Sequence, residues 1–149
     1  MIILRYTMLL TSQIIFTVIS SITIIMSMGF GLNKTHMTNP LWPPHARFHW
    51  AGEFLNVMSV QCLALFLVWG HYPGRGSELA TWAAGLAPVV FWGTFIPSTW
   101  FPGTSAWIDG YPRPQNLPAI FKRYNPNLFI SVAMCLAAAL GIWLDIKSR

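Results

Sequence analysis

Four stretches of about twenty apolar residues constrain this chain more than anything else in it, because a helix crossing a bilayer needs roughly 20 such residues to span about 30 Å of hydrocarbon. They run over residues 7–31, 45–70, 80–101 and 128–146. Only 9% of the 149 residues are charged, against about 25% in a typical soluble domain, and 54% are hydrophobic. Mean hydropathy is +0.51. So apolar a chain with so little charge is neither an ordinary soluble domain nor a disordered one. The first apolar stretch exceeds the roughly 7–15 residues of a secretory h-region and no small-residue cleavage site follows, so it reads as a retained span. The expectation is an all-α integral membrane four-helix bundle, with residues 1–149 as a single transmembrane domain.

The connections are unequal. Residues 71–79 make a short turn, whereas residues 32–44 and 102–127 form two long loops rich in Pro and aromatic residues. Four spans place both long loops on one side, opposite the termini and the short turn. Long loops on a rigid scaffold often carry function, which directs attention to that side. Pro88 and Pro97 should kink or fray the third span. The net charge of +5 comes from nine Lys+Arg against four Asp+Glu. The basic residues are scattered at the ends of apolar runs, which is no nucleic-acid signature. Arg5, Arg75, Lys147 and Arg149 on one side balance Lys34, Arg47, Arg113, Lys122 and Arg123 on the other, so the positive-inside rule assigns no orientation. Cys62 and Cys135 lie inside apolar runs and read as small hydrophobes.

Chemistry concentrates in Asn39-Pro-Leu-Trp-Pro-Pro-His45-Ala-Arg-Phe-His49-Trp-Ala-Gly-Glu53-Phe-Leu-Asn56. Proline is tolerated in a first helical turn, so Pro43-Pro44 marks a helix start. His45, His49 and Glu53 then recur at i, i+4 and i+8, lining one helix face, and Asn56 continues the stripe. At 1.5 Å per residue the stripe descends about 16 Å from the helix start. Ionisable groups within a span are costly and normally face the bundle interior or a wet cavity. The expected site is therefore a pocket opening toward the two long loops. Glu53 would be the principal acid or base, His49 its partner, and His45 an orienting or relaying group. Asp109, the one acidic residue of the last long loop, would be a second carboxylate facing Glu53; as part of Asp-Gly it equally reads as a turn former. Asn56, Trp100, Trp107 and Tyr111 would line an apolar substrate, although packing and interface anchoring explain the aromatic residues equally well.

Three function classes fit this pattern. The first is a membrane-embedded acid/base enzyme without a cofactor, acting on a polyketide-, terpenoid- or sterol-like molecule as an isomerase, cyclase or epoxide hydrolase. The second is a redox protein holding a divalent metal or haem through His45, His49 and Glu53, with His36 or Asp109 as a fourth ligand. The third is a non-enzymatic lipid-binding or assembly subunit, a homo-oligomer included, whose polar stripe meets a partner helix. A purely structural stripe, bonded to itself and to the loops, stands beside them. Away from the stripe, Arg47 is expected to snorkel to headgroups, His36 to be solvated, His71 to be interfacial, Glu78 to complement a helix dipole and Asp145 to be solvated.

The segments Asn33-Lys-Thr-His36 and Asn39-Pro-Leu-Trp-Pro-Pro-His-Ala-Arg-Phe-His49 resemble the signature of a family of small four-span membrane proteins of fungi and bacteria that has no assigned activity. The resemblance singles out His36, His45 and His49 without naming a reaction. The spacing of His49 and Glu53 is also similar to that in sterol-isomerase-like four-helix membrane proteins, which place a His and a Glu four residues apart facing an apolar pocket. That similarity implies acid/base chemistry on a lipophilic substrate. The further acidic residue and tryptophan of those isomerases have no assigned counterpart in this chain.

Overall fold

A computed structural model describes residues 2–107 and 115–149. Asp109 and Tyr111 lie outside the described residues. The described chain forms α1 (Ile2–Gly31), α2 (Pro44–Trp69), α3 (Glu78–Trp92), α4 (Phe95–Ser98), α5 (Ala119–Arg123) and α6 (Pro126–Ser148). Four candidate spans, Ile2–Gly31, Pro44–Trp69, Glu78–Ser98 and Pro126–Ser148, are long and apolar enough to cross a membrane. The chain is thus an all-helical four-helix bundle of multi-pass membrane type, as its apolar runs required. α1 and α3 each pack on both α2 and α6, and α1 also touches α3, which closes a ring with one short diagonal.

The helix ends follow local chemistry. Pro44 opens α2 and Pro126 opens α6, where a missing N–H costs nothing. Asn125 caps α6 by accepting from Asn127 N at 2.9 Å, and Ser77 caps α3 by accepting from Ala80 N at 3.2 Å. Gly74 and Gly76 adopt positive φ in the short turn, a conformation that side chains resist. The third span breaks after Trp92 and resumes at Phe95. Pro97 accounts for the break, since its ring would clash with the carbonyl four residues earlier, that of Gly93. Pro88, by contrast, sits inside an unbroken α3. α5 is a short helix within what the sequence presented as loop.

Large apolar side chains such as Ile14, Ile25, Leu55, Val90 and Leu136 point outward, whereas the interior is mostly small and polar residues around a few large ones. That distribution suits lipid, where no hydrophobic effect drives helices together and close backbone approach must do so instead. Phe16 is the central filler, packed with Ala64, Val68, Ala84, Ala87 and Ile142. It seats against two glycines. A Cβ at Gly141 would come within 2.5 Å of Phe16, and one at Gly85 within 2.6 Å of Ile142. Tryptophan and glutamine then tie the helices together: Trp69 Nε1 donates to Thr17 Oγ1 at 2.8 Å, Trp92 Nε1 to Thr23 Oγ1 at 2.8 Å, and Gln61 Nε2 to the Ala87 carbonyl at 3.3 Å.

Gly141→Ala should destabilise the bundle by roughly 1–3 kcal/mol through overpacking. Adding Phe16→Leu should recover part of that loss. Denaturant titration in detergent micelles reads both effects; additive losses would show that the two positions do not share one contact.

Candidate functional site

The segment preceding α2 folds as a clamp on the end of α1. Asn39 is fully buried, and its Oδ1 accepts from Leu41 N at 2.9 Å, closing an Asx turn. Its carbonyl accepts from Arg47 Nη2 at 2.9 Å. Arg47 is thus recruited into the clamp and does not snorkel to headgroups. Trp50 Nε1 donates to the Gly31 carbonyl at 3.0 Å. His36 is half-buried, contrary to the expectation that it is solvated: it stacks on Trp50 at 4.4 Å and meets Trp42 edge-on at 5.5 Å. Its Nδ1 lies 2.8 Å from Thr35 Oγ1 and 3.1 Å from the Phe30 carbonyl. Half of the sequence signature is therefore architectural.

Burial lowers the pKa of His36 below its ordinary 6.5, with the bond to Phe30 opposing. A base with a lowered folded pKa takes up its proton more readily when the clamp is open. Clamp stability is thus fully present above pH 6.5 and falls as pH drops from there toward the folded value. Amide exchange over residues 32–43, corrected for intrinsic rate, should rise across that window in the wild type and stay flat in His36→Phe.

The stripe forms with the spacing the sequence dictates. His45 Nε2 and His49 Nε2 lie 3.0 Å apart, one donating and the other accepting, and the two rings meet edge-on. The stripe does not face an internal pocket. His45, His49, Glu53 and Asn56 are all exposed, on the outer side of α2. Helical geometry explains this: Arg47 is two residues from each histidine, about 200° around the helix, and Arg47 is committed inward to Asn39. No stripe residue lines either of the two best-defined hollows of the described structure.

Depth along α2 adds to the picture. Trp69 and Trp50 are 20 residues apart inclusively, about the thickness of the hydrocarbon, and tryptophan favours both interfaces. With Trp50 at one interface, the histidine pair would lie at headgroup level, Glu53 about one turn beneath it and Asn56 deeper. Neither Glu53 nor Asn56 has a side-chain partner among the described residues. Of the other candidates, Trp100 is 77% exposed and walls nothing, and Trp107 is half-buried in the last long loop. Among the described residues no three His, Cys, Asp or Glu side chains converge to hold a metal ion, so His36 and Glu53 do not join the histidine pair.

Sequence reasoning missed a second polar site. Asp145, expected to be solvated, is 1% exposed. Its Oδ2 pairs with Arg149 Nη2 at 2.7 Å, and Arg149 Nη2 also donates to Thr81 Oγ1 at 3.2 Å, tying α6 to α3. Its Oδ1 has no partner among the described residues, and Asp145 borders a small cavity of about 20 Å³ shared with Ser12, Gln13 and Thr81. That is room for about one water molecule. The signal was present: Asp145 continues the small-residue register of Ser131, Ala138 and Gly141 on α6, with Arg149 one turn on. Arg149→Gln should strand this carboxylate and cost roughly 1–3 kcal/mol, less than a fully enclosed pair because Arg149 is a third exposed. Asp145→Asn/Arg149→Gln should cost less than Arg149→Gln alone in a double-mutant cycle; an equal or larger loss would contradict the pairing.

In comparisons with known proteins, no family model, no curated protein and no solved structure matches this chain.

Proposed function

We propose that the chain is a membrane-embedded acid/base enzyme whose substrate is a lipophilic small molecule approaching α2 from the lipid side. The observation that carries this reading is the His45–His49 pair: two exposed imidazoles, hydrogen-bonded to one another and to no other described residue. Such a pair can pass a proton from one ring to the other, and beside the interfacial Trp50 it would exchange that proton with water. Glu53, one turn deeper on the same face, lies where the reacting group of a dissolved polyketide-, terpenoid- or sterol-like molecule would reside. Glu53 acts as the principal acid or base and the histidines exchange its proton with the aqueous interface. Isomerisation, cyclisation and epoxide opening all need only such a proton donor and acceptor in register.

A second reading is favoured by a separate observation. Glu53 and Asn56 are exposed on the outer side of α2 without partners among the described residues, and polar side chains in hydrocarbon commonly hydrogen-bond across to another helix. The stripe is then the face that an assembly partner covers.

The deciding experiment takes wild type, Glu53→Gln and His45→Ala/His49→Ala in lipid nanodiscs. Each is analysed for bound metal and visible absorption, then presented with lipophilic epoxides and alkenes. Metal-free turnover that falls about 10²-fold or more in Glu53→Gln is expected for acid/base catalysis. Near-unit metal or haem occupancy lost in the double variant would overturn it in favour of a redox site. No turnover, with a co-purifying membrane partner lost in Glu53→Gln, would overturn it in favour of assembly.

A further inference from the structure

The last long loop returns to the bundle through α5, and the junction of α5 with α6 builds a shape that the stripe does not explain. Phe121 of α5 meets Phe129 of α6 edge-on at 5.2 Å, which pins the short helix against the long one. Beside that contact runs an open groove of about 280 Å³, lined by Ile120, Tyr124, Leu128, Phe129 and Val132. All five lining side chains are apolar or aromatic. The groove starts beside α5 and follows the first two turns of α6, that is, from the end of a candidate span inward along it.

One end of the groove is cationic. Arg123 holds its guanidinium 5.4 Å from the ring centre of Tyr124, itself a wall of the groove, and Lys122 precedes it. Neither makes an ion pair with any described residue. The two also close the last turn of α5, where positive charge complements the helix dipole, but no described residue compensates their outward charge. An apolar channel along the start of a candidate span, beside a guanidinium that no described residue pairs, is complementary to an amphiphile with a negative head and a hydrocarbon tail.

We propose that this groove is a binding site for an anionic phospholipid, with an acyl chain lying along Leu128, Phe129 and Val132 and the phosphate at Arg123 and Lys122. Phe121 is a positioning residue, since it holds α5 where the cationic end and the apolar floor line up. The proposal stands independently of the chemistry assigned to the histidine stripe.

The test is lipid retention by native mass spectrometry, using protein reconstituted in equimolar phosphatidylglycerol and phosphatidylcholine of matched chains. Wild type should retain phosphatidylglycerol in preference. Each basic residue near the surface is worth about a fivefold effect at moderate salt, so Lys122→Gln/Arg123→Gln should bring the two lipids close to parity. Val132→Trp, which fills the groove and leaves both cations in place, should lower retention of phosphatidylglycerol itself. Helical circular dichroism equal to wild type certifies each variant as folded, and Val132→Leu replaces Val132→Trp should that one fail. Equal retention of both lipids by wild type would overturn the proposal. So would a preference surviving loss of both cations, or retention indifferent to filling the groove.

Discussion

Contact between Phe16 and the bare backbones of Gly85 and Gly141 is the interaction on which the rest of the molecule depends. Lipid is as apolar as any leucine, so helices in a bilayer gain little by hiding hydrophobic side chains from it. They gain by approaching closely and by satisfying polar groups that have no water to turn to. One large ring at the crossing of α1, α3 and α6 needs two absent side chains to fit, and the absence brings the helices near enough for their polar residues to meet. Thr17, Thr23 and Gln61 then reach tryptophans and a carbonyl on neighbouring helices. The outward faces keep the bulk, where it serves as solvent-facing surface toward lipid.

The same logic makes Asp145 intelligible. A carboxylate among small residues would be intolerable without a partner, and its Oδ2 has one in Arg149, four residues on and therefore on the same helix face. Through Thr81 the pair also fastens α3, so the end of the bundle bearing the short turn is closed by charge as the opposite end is closed by the clamp of Asn39, Arg47 and Trp50. Between these closures the four helices are held mostly by fit. The unpaired Oδ1 faces a cavity with hydroxyl and amide neighbours, an environment in which one water molecule finds the partners it requires.

Much of this architecture was legible in the chain. Apolar length marked four spans, Pro-Pro marked the start of α2, and Pro97 marked the break in the third span. The direction in which α2 faces was not legible, because below its first turns the helix is almost wholly apolar, with only Asn56, Ser59 and Gln61 polar, and its periodicity carries no inward signal. The general expectation that ionisable residues in a span face inward therefore had nothing local to oppose it. What decides the matter is tertiary: Arg47 bonds to a buried carbonyl on the preceding loop, and the histidines two residues away on either side must point elsewhere. Asp145 was misjudged for a related reason. Its position near a helix end reads as solvated until it is placed on the register of Ala138 and Gly141.

A single contiguous motif thus does two jobs by virtue of helical geometry. Asn39, Trp42, Arg47 and Trp50 turn inward and fix the entry of α2 upon α1, with His36 filling the space between the two indoles. His45, His49, Glu53 and Asn56 turn outward and present their polar groups to the membrane at graded depth. The inward set gives the outward set its precision, because a helix held at its first two turns cannot rotate its stripe away. A polar face displayed toward lipid carries a steady energetic penalty, which a merely structural stripe would have no reason to bear, since it could be satisfied within the bundle as Gln61 and Thr23 are. Rigid mounting and costly exposure together are what a surface meeting something in the membrane requires, and they are the physical ground of the proposal that this chain acts through the outer face of α2.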